Sequence, residues 1–439
     1  MTINYSNLFN KTRLRTARRQ IFSISKYSGS LIFLYLQAND NLSETEVSLM
    51  QIKIYHHYKI VCQMNKNILR YATITQFCFL LICYTNFEVN AQSVNNGPVR
   101  LAVAGATHGH VSWILSRKKA DVQLVGVYEP NKELVQRYVM QYGLNTNLFY
   151  TDLGKMLDEL KPEVVAAFGS IYEHMAVVEA CAPRHIDVMV EKPLATTVEQ
   201  AERMETLVKK YNIRLLTNFE TSWYPTTVKT YELVNDSNYI GQIKKVVIHD
   251  GHEGPKEINV SNEFFGWLTD PKQNGGGALM DFGCYGANLM TYLMHGQQPV
   301  SVTAVTQQFK PNIYPKVDDE ATIIVSYPGA QCIIQASWNW PFGRKDMEVY
   351  GQTGYIITIN NNTMRLRAKP DSVEHSLKLN TNEVPVYEDP FSYLADVIRG
   401  KIKVPENGVY ALKTNITVVR ILEAAKESAK TGKTVFLKK

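Results

Sequence analysis

The turn Gly105-Ala-Thr-His-Gly-His110 is the first place in this 439-residue chain where residue types and spacing suit chemistry. It follows the apolar run Val99–Ala104 and precedes a helical pattern carried by Val111, Trp113, Ile114 and Leu115. In a doubly wound sheet such a turn lies against a dinucleotide pyrophosphate. Glycines permit close backbone approach there, and the helix N-terminus favours the anion. Only Gly105 keeps the register of G-x-G-x-x-G. Thr107 stands at the second glycine position and His110 at the third; His108 lies between them, and Gly109 is one place out of register. Glu129 ends the next apolar run, 24 residues after Gly105, where an acidic side chain meets ribose hydroxyls. A carboxylate there repels a 2′-phosphate, so the expected cofactor is NAD, with NADP disfavoured.

Two histidine pairs and two aromatic groups add candidates. His108 and His110 lie in the turn; His249 and His252 lie at a later strand end. The favoured reading is polar histidines beside a cleft, with His252 on the substrate side and no metal. A metal shared between the pairs is the less favoured alternative. Trp223-Tyr224 suits stacking on a sugar ring, and core packing is equally consistent. Trp338, Asn339, Trp340 and Arg344 end another strand, where they line either a sugar site or an inter-subunit sheet face.

The elements that must position these residues alternate. Strands at Val99–Ala104, Val122–Tyr128, Leu148–Tyr150, Val164–Phe168, Asp187–Val190 and Ile213–Thr217 are separated by helices at Lys132–Tyr142, Leu153–Leu160, His174–Ala182 and Val198–Tyr211. Such alternation means βαβ units and a parallel sheet. After Asn218 the pattern changes to strands joined by polar turns: Gln242–His249, Ser301–Gln308, Glu320–Tyr327, Ala330–Trp338, Lys345–Gly351 and Tyr355–Asn360. One helix, Gly275–Leu293, interrupts them, and two more, Pro390–Arg399 and Tyr410–Thr431, close the chain. The expected fold is α/β followed by α+β: a Rossmann dinucleotide-binding domain over 99–217, then a domain over 218–439 with a large, mostly antiparallel sheet. The C-terminal helices are free to pack back on the first domain.

Charge and cysteine content narrow the function class. The formal charge is +6, but residues 1–91 hold ten basic and four acidic residues, leaving 37 of each in 92–439. A neutral body has no charge excess to attract nucleic acid or an anionic membrane. Cys181, Cys284 and Cys332 form neither a disulfide framework nor a CxxC metal site. Residues 64–91 read as a secretory signal peptide: Lys66 and Arg70, an apolar run Ile74–Tyr84, then Val89-Asn90-Ala91 as a cleavage site. The run is too short for a stable membrane span. Residues 1–63 read as a misassigned extension upstream of Met64. The expected location is periplasmic or secreted.

Three motifs together resemble the Gfo/Idh/MocA oxidoreductases: Glu191-Lys192-Pro193 closing a Rossmann strand, Phe168-Gly-Ser170-Ile-Tyr-Glu-His174, and Gly275-Gly-Gly-Ala-Leu-Met-Asp281-Phe-Gly-Cys-Tyr285 opening a helix. The third looks most like the branch with glucose–fructose oxidoreductase and dihydrodiol dehydrogenases. The resemblance covers about residues 99–437. It implies a catalytic-site lysine at Lys192, commonly before a cis proline, and a catalytic Asp281 and Tyr285 flanking the substrate carbinol. It also places Ser170, His174 and Glu191 beside the cofactor. The chemistry would remove a hydroxyl proton while hydride leaves carbon. Tyr285 is the expected acid/base, with Lys192 lowering its pKa and Asp281 orienting substrate. For Asp281 a helix N-cap is the alternative.

The leading reading is an exported NAD-dependent oxidoreductase acting on a hydroxyl or ketone of a carbohydrate or glycoside, with tightly bound cofactor. A glycoside hydrolase or lyase working by transient oxidation and elimination is the second, and an inactive sugar- or nucleotide-binding protein the third. The family resemblance implies a homo-oligomer, a dimer or tetramer.

Overall fold

The computed structural model describes residues 20–27, 30–36 and 97–437. Residues 1–92 make a unit of their own, in which the described residues are the antiparallel strands β1 (Gln20–Tyr27) and β2 (Ser30–Leu36). The signal-like segment 64–91 lies outside the described residues.

Residues 93–439 form the second unit. Its first sheet contains β3 (Val99–Ala106), β4 (Val122–Tyr128), β5 (Phe149–Tyr150), β6 (Val164–Phe168), β7 (Asp187–Glu191) and β8 (Leu215–Asn218). The order is β5-β4-β3-β6-β7-β8, and every pairing is parallel. Helices cover both faces, so β6 is buried at all five positions and its sequence is wholly apolar. The helices start and stop where their end residues dictate. Asn131, Asp152 and Thr197 accept backbone N–H bonds as N-caps, while Gly143 and Asn212 take left-handed conformations at the C-terminal ends. The chain reverses direction across the sheet between β3 and β6. That switch point opens the crevice in which open α/β sheets bind ligands.

The second sheet has nine strands: β9 (Ile243–Gly251), β10 (Ser301–Gln307), β11 (Glu320–Tyr327), β12 (Ala330–Ser337), β13 (Arg344–Gly351), β14 (Tyr355–Thr358), β15 (Thr363–Arg367), β16 (His375–Lys378) and β17 (Val435–Phe436), in the order β16-β15-β14-β13-β9-β12-β11-β10-β17. It is antiparallel except at β9–β12, which are parallel. Strict alternation buries one side of β11 and leaves the other half-buried. Strand β15, the two edge strands β16 and β17, and the helices Pro225–Tyr231 and Asn262–Leu268 go beyond the elements read from sequence in this unit. The segment expected as one helix over Gly275–Leu293 breaks into Ala278–Asp281 and Gly283–Leu293.

The C-terminal helices join the two layers. Phe391 and Leu394 pack into the core of the parallel sheet. In helix Leu412–Thr431, Ile416 and Val419 join the parallel-sheet core, while Val418, Ile421 and Leu422 join the nine-stranded one.

Candidate active site

The two strand-end turns of the switch point lie side by side. The His108 N–H donates to the Phe168 carbonyl at 2.8 Å. Gly105 has φ +73°, and a Cβ there would stand 2.8 Å from the Gly169 backbone. Glycine is therefore required for the turn itself. The Thr107 hydroxyl is buried with no partner among the described residues. Glu129 is buried at the end of β4, its oxygens accepting the N–H groups of Ala106 and Asn131, each at 2.9 Å. Burial pushes its carboxyl up.

Lys192 ends β7 beside a cis bond to Pro193. Its ammonium pairs with Asp281 Oδ1 and donates to the Asp281 carbonyl at 3.0 Å; both side chains are 7% exposed. Trp338 Nε1 donates to Asp281 Oδ2 at 3.0 Å. Burial works against both charges. The mutual attraction outweighs it, raising Lys192 and lowering Asp281. The N-cap role is taken by Asp318, whose carboxylate accepts the N–H groups of Gly277 and Leu279 at 2.9 and 2.7 Å. Asp281 closes that short helix and is left to Lys192. Gly277 has to be glycine, because a Cβ would fall 1.7 Å from the Asp318 carbonyl oxygen.

Tyr285 is fully buried, with its ring 5.0 Å from Lys192 Nζ and 5.2 Å from Lys345 Nζ. The expectation that Lys192 lowers its pKa is overturned. Burial, reinforced by Glu220, pushes the phenol well above its usual value, because the lysine lies over the ring face and its charge is matched by Asp281.

His110 joins the turn to β7. Its Nδ1 meets Glu191 Oε2 at 3.1 Å, and its ring stacks on Trp113 at 3.8 Å. Glu191 Oε1 accepts from Asn218 at 2.7 Å, and Asn218 Oδ1 accepts from Trp223 at 3.0 Å. Burial would raise Glu191; the His110 and His108 rings and the two hydrogen bonds outweigh it and hold the carboxyl at about 2. His108 is buried against Phe264 and Trp267, and burial lowers its pKa to about 3.

These groups line one cavity of about 190 Å³: His108, His110, Lys192, His252, Asp281, Tyr285 and Lys345, with an apolar wall including Ile258, Phe264 and Phe282. A wider groove of about 630 Å³ between helices Val198–Tyr211 and Leu412–Thr431 is lined largely by mixed charges, Glu202 and Arg420 among them as an ion pair. That is a solvated face, so the site is assigned to the smaller cavity.

Of the substrate candidates, only His252 lines the cavity. Trp223 stacks on Tyr410 at 4.9 Å, and the Tyr224 hydroxyl donates to Glu220 at 2.6 Å, so both serve packing. Trp338 is wholly buried behind Asp281, and Arg344 forks onto Asp346 at 2.6 and 2.9 Å. Ser170 caps its own turn through Glu173 and donates to Gln273 at 2.6 Å. His174 is buried, its Nδ1 at 3.2 Å from the Leu194 carbonyl, its Nε2 without a partner among the described residues, and burial lowers its pKa to about 4. A Cβ at Gly109 would meet only the Phe264 ring, at ordinary contact distance, so glycine is not required there. The histidine pairs do not share one site, since His249 bonds Asp346 at 3.0 Å. Lys345 and Phe264 escaped the sequence reading. Lys345 does neighbour the named Arg344, and strand alternation turns it to the other face.

A parallel dinucleotide-type sheet feeding a large open sheet, with a buried lysine–aspartate pair between them, defines a two-domain Rossmann oxidoreductase. Residues 99–219 match the family model for the oxidoreductase family NAD-binding Rossmann fold, and residues 229–357 match the GFO/IDH/MocA C-terminal domain. Together they span more than half of the chain, which belongs to the GFO/IDH/MocA oxidoreductase family. A trans-1,2-dihydrobenzene-1,2-diol dehydrogenase of Xenopus tropicalis is 25% identical over 49% of this chain and 61% of its own length. A D-glucoside 3-dehydrogenase of Escherichia coli is 28% identical over 48% of this chain and 58% of its own. The chain thus spans about three-fifths of these curated relatives. An aldose-aldose oxidoreductase structure from Caulobacter crescentus, complexed with glycerol, superposes with TM-score 0.65 at 22% identity, covering 77% of this chain and all of that one. No described helix is long and apolar enough to cross a membrane.

Proposed function

We propose that this protein oxidises or reduces a CH–OH carbon of a carbohydrate or glycoside, using NAD held on its parallel sheet. The observation that carries the reading is the buried Lys192–Asp281 pair opening on a cavity at the switch-point crevice. The residues present fit the cofactor. Thr107 offers an unpartnered buried hydroxyl on the phosphate turn, Gly105 keeps that turn tight, and Glu129 closes β4. Gly105, Thr107, Gly109 and Glu129 would hold it, and the carboxylate favours NAD over NADP. When bound, the nicotinamide would exchange hydride with the carbinol carbon. Lys192 gives two of its three donors to Asp281 and keeps one for a substrate oxygen. The buried pair keeps that cation fixed, and the apolar wall keeps water from the reacting carbon.

The diol and glucoside dehydrogenases among the relatives support a vicinal hydroxyl substrate. The signal-like residues 64–91 support export, and an exported enzyme without a free NAD supply has to retain and recycle its dinucleotide. The half-exposed face of β11 and β12 supports pairing of two copies.

The test is to purify the chain without added nucleotide, denature it and weigh what is released. Stoichiometric NAD(H), with a keto-sugar formed from supplied glycosides, is the expected result. Aglycone release with no net NADH would replace it by the elimination reading. No nucleotide, and none taken up from added NAD, would sink the redox assignment. The mass of the secreted chain, starting after Ala91, and its mass in solution test export and pairing.

A further inference from the structure

We propose that His110, held by Glu191, is the proton acceptor of this site in place of the buried Tyr285; the inference rests on the oxidoreductase reading above. The argument is which cavity group presents a lone pair. Lys192 and Lys345 are ammonium groups paired with Asp281 and Glu220. Asp281 is held as a carboxylate by Lys192 and by Trp338, and a proton taken there would discharge the buried ion pair. Tyr285 is a phenol in a buried setting. His108 Nδ1 accepts the His110 N–H at 3.1 Å, and His252 Nδ1 accepts the Gly254 N–H at 2.8 Å. A neutral imidazole accepting at Nδ1 carries its proton at Nε2, so neither of those rings has a lone pair left to offer. His110 is the reverse. Its Nδ1–H donates to the Glu191 carboxylate, and Nε2 keeps its lone pair.

The surroundings fix that tautomer. Asn218 Oδ1 is occupied by the Trp223 N–H, which turns the Asn218 amide nitrogen toward Glu191 and leaves Oε2 for His110. Glu191 is 1% exposed, so a cation forming on His110 finds its counter-charge buried beside it. Trp113 stacked under the ring holds its plane. In the oxidative direction the substrate O–H bond breaks and its proton goes to His110 Nε2. The O–H electron pair becomes the second bond of the carbonyl as hydride leaves carbon for the oxidised nicotinamide dinucleotide. Reduction reverses both transfers.

One rival uses the same atoms. Ligand atoms of His108, His110 and Glu191 lie within 4.8 Å of one another, a spacing a divalent cation could bridge. The Nδ1 atoms of both histidines are already engaged, His108 by the His110 N–H and His110 by Glu191, so the geometry points to the proton relay.

The experiment is two-bond ¹H–¹⁵N NMR of the full chain labelled at histidine. His110 is expected as the Nδ1–H tautomer, with His108 and His252 as Nε2–H. His110→Gln should lower kcat about 100-fold or more with KM changed little and nucleotide content unchanged. Glu191→Gln is the positioning variant. Replacing the acceptor-only carboxylate by an amide, which offers either a donor or an acceptor, should mix the two His110 tautomers in the same spectrum. His110 as Nε2–H, a His110→Gln variant as active as the parent, or a chelator-released divalent metal lost in that variant would each overturn the proposal. The tautomer measurement needs neither nucleotide nor substrate. Failure of the dinucleotide reading would therefore show as missing NAD(H) with the tautomers intact.

Discussion

A buried ion pair is the residue-scale signature of this site, and its energetics make it testable. Lys192 and Asp281 are desolvated together, so removing one leaves a buried charge with no counter-ion. Breaking such a pair typically costs about 3–5 kcal/mol, whereas replacing both partners by apolar groups is often close to neutral. Lys192→Met should therefore lose activity and also unfold at lower temperature. Lys192→Met with Asp281→Leu should regain much of the stability and none of the activity. Equal midpoints for the single and double variants in thermal denaturation would show that the pair is not coupled. Asp250 is the opposite case. Both of its oxygens are buried with no partner among the described residues. Burial raises its carboxyl well above the usual range; Lys345 opposes this, and Asp346 and Glu220 add to it. The folded chain keeps a proton that the unfolded chain releases near pH 4, so this contribution to stability is full below that pH and falls as pH rises toward the folded value. Asp250→Asn should flatten that decline and melt higher than the parent at neutral pH. Parallel melting-temperature profiles for the two proteins would refute it.

Elements were legible where local rules and burial agree. Helices Lys132–Tyr142, Leu153–Leu160 and Val198–Tyr211 and strand β11 fall where the periodicity puts them. The parallel β9–β12 pair was not legible, since two strands far apart in sequence carry no mark of which neighbour they choose. Strands β16 and β17 are short edges with little burial and hence weak patterning. The same limit applies to the site. Lys192 and Asp281 stand in motifs, but the Trp338 bond to Asp281 spans 57 residues and was invisible, so Trp338 was read as lining either a sugar site or an inter-subunit sheet face. Gly105 tests whether the phosphate turn obeys its local rule. An alanine there adds left-handed strain, about 1–2 kcal/mol, and a Cβ 2.8 Å from the Gly169 backbone. At Gly143 an alanine meets strain alone, with nothing within 4 Å. Gly105→Ala should thus destabilise more than Gly143→Ala and also lose bound nucleotide. Equal urea midpoints with nucleotide retained would mean that the turn relaxes freely.

At the scale of the whole unit over residues 93–439, helix Leu412–Thr431 decides whether the two layers are separable. One side of it completes the parallel-sheet core through Ile416 and Val419, and the other completes the nine-stranded core through Val418, Ile421 and Leu422. At its start, Asn415 is buried. Its amide donates to the Val409 and Ala411 carbonyls at 3.0 Å, and its Oδ1 accepts from Asn288 at 3.2 Å. Arg399, just after helix Pro390–Ile398, reaches back to Glu163 and to the Gly97 and Pro98 carbonyls that lead into β3. The active-site cavity draws residues from both layers, so its geometry depends on the same helix that binds them. The two domains should therefore unfold in one step. Leu422 is fully buried, and Leu422→Ala should cost about 2–5 kcal/mol of that single step. It lies in the second core, so independent domains would leave the first one unmoved. Hydrogen exchange at β6 and at β11, followed together through urea unfolding, separates the cases. Loss of protection at one midpoint, shifted equally by the variant, is the expected result, and a shift confined to β11 would show that the dinucleotide domain folds without its partner.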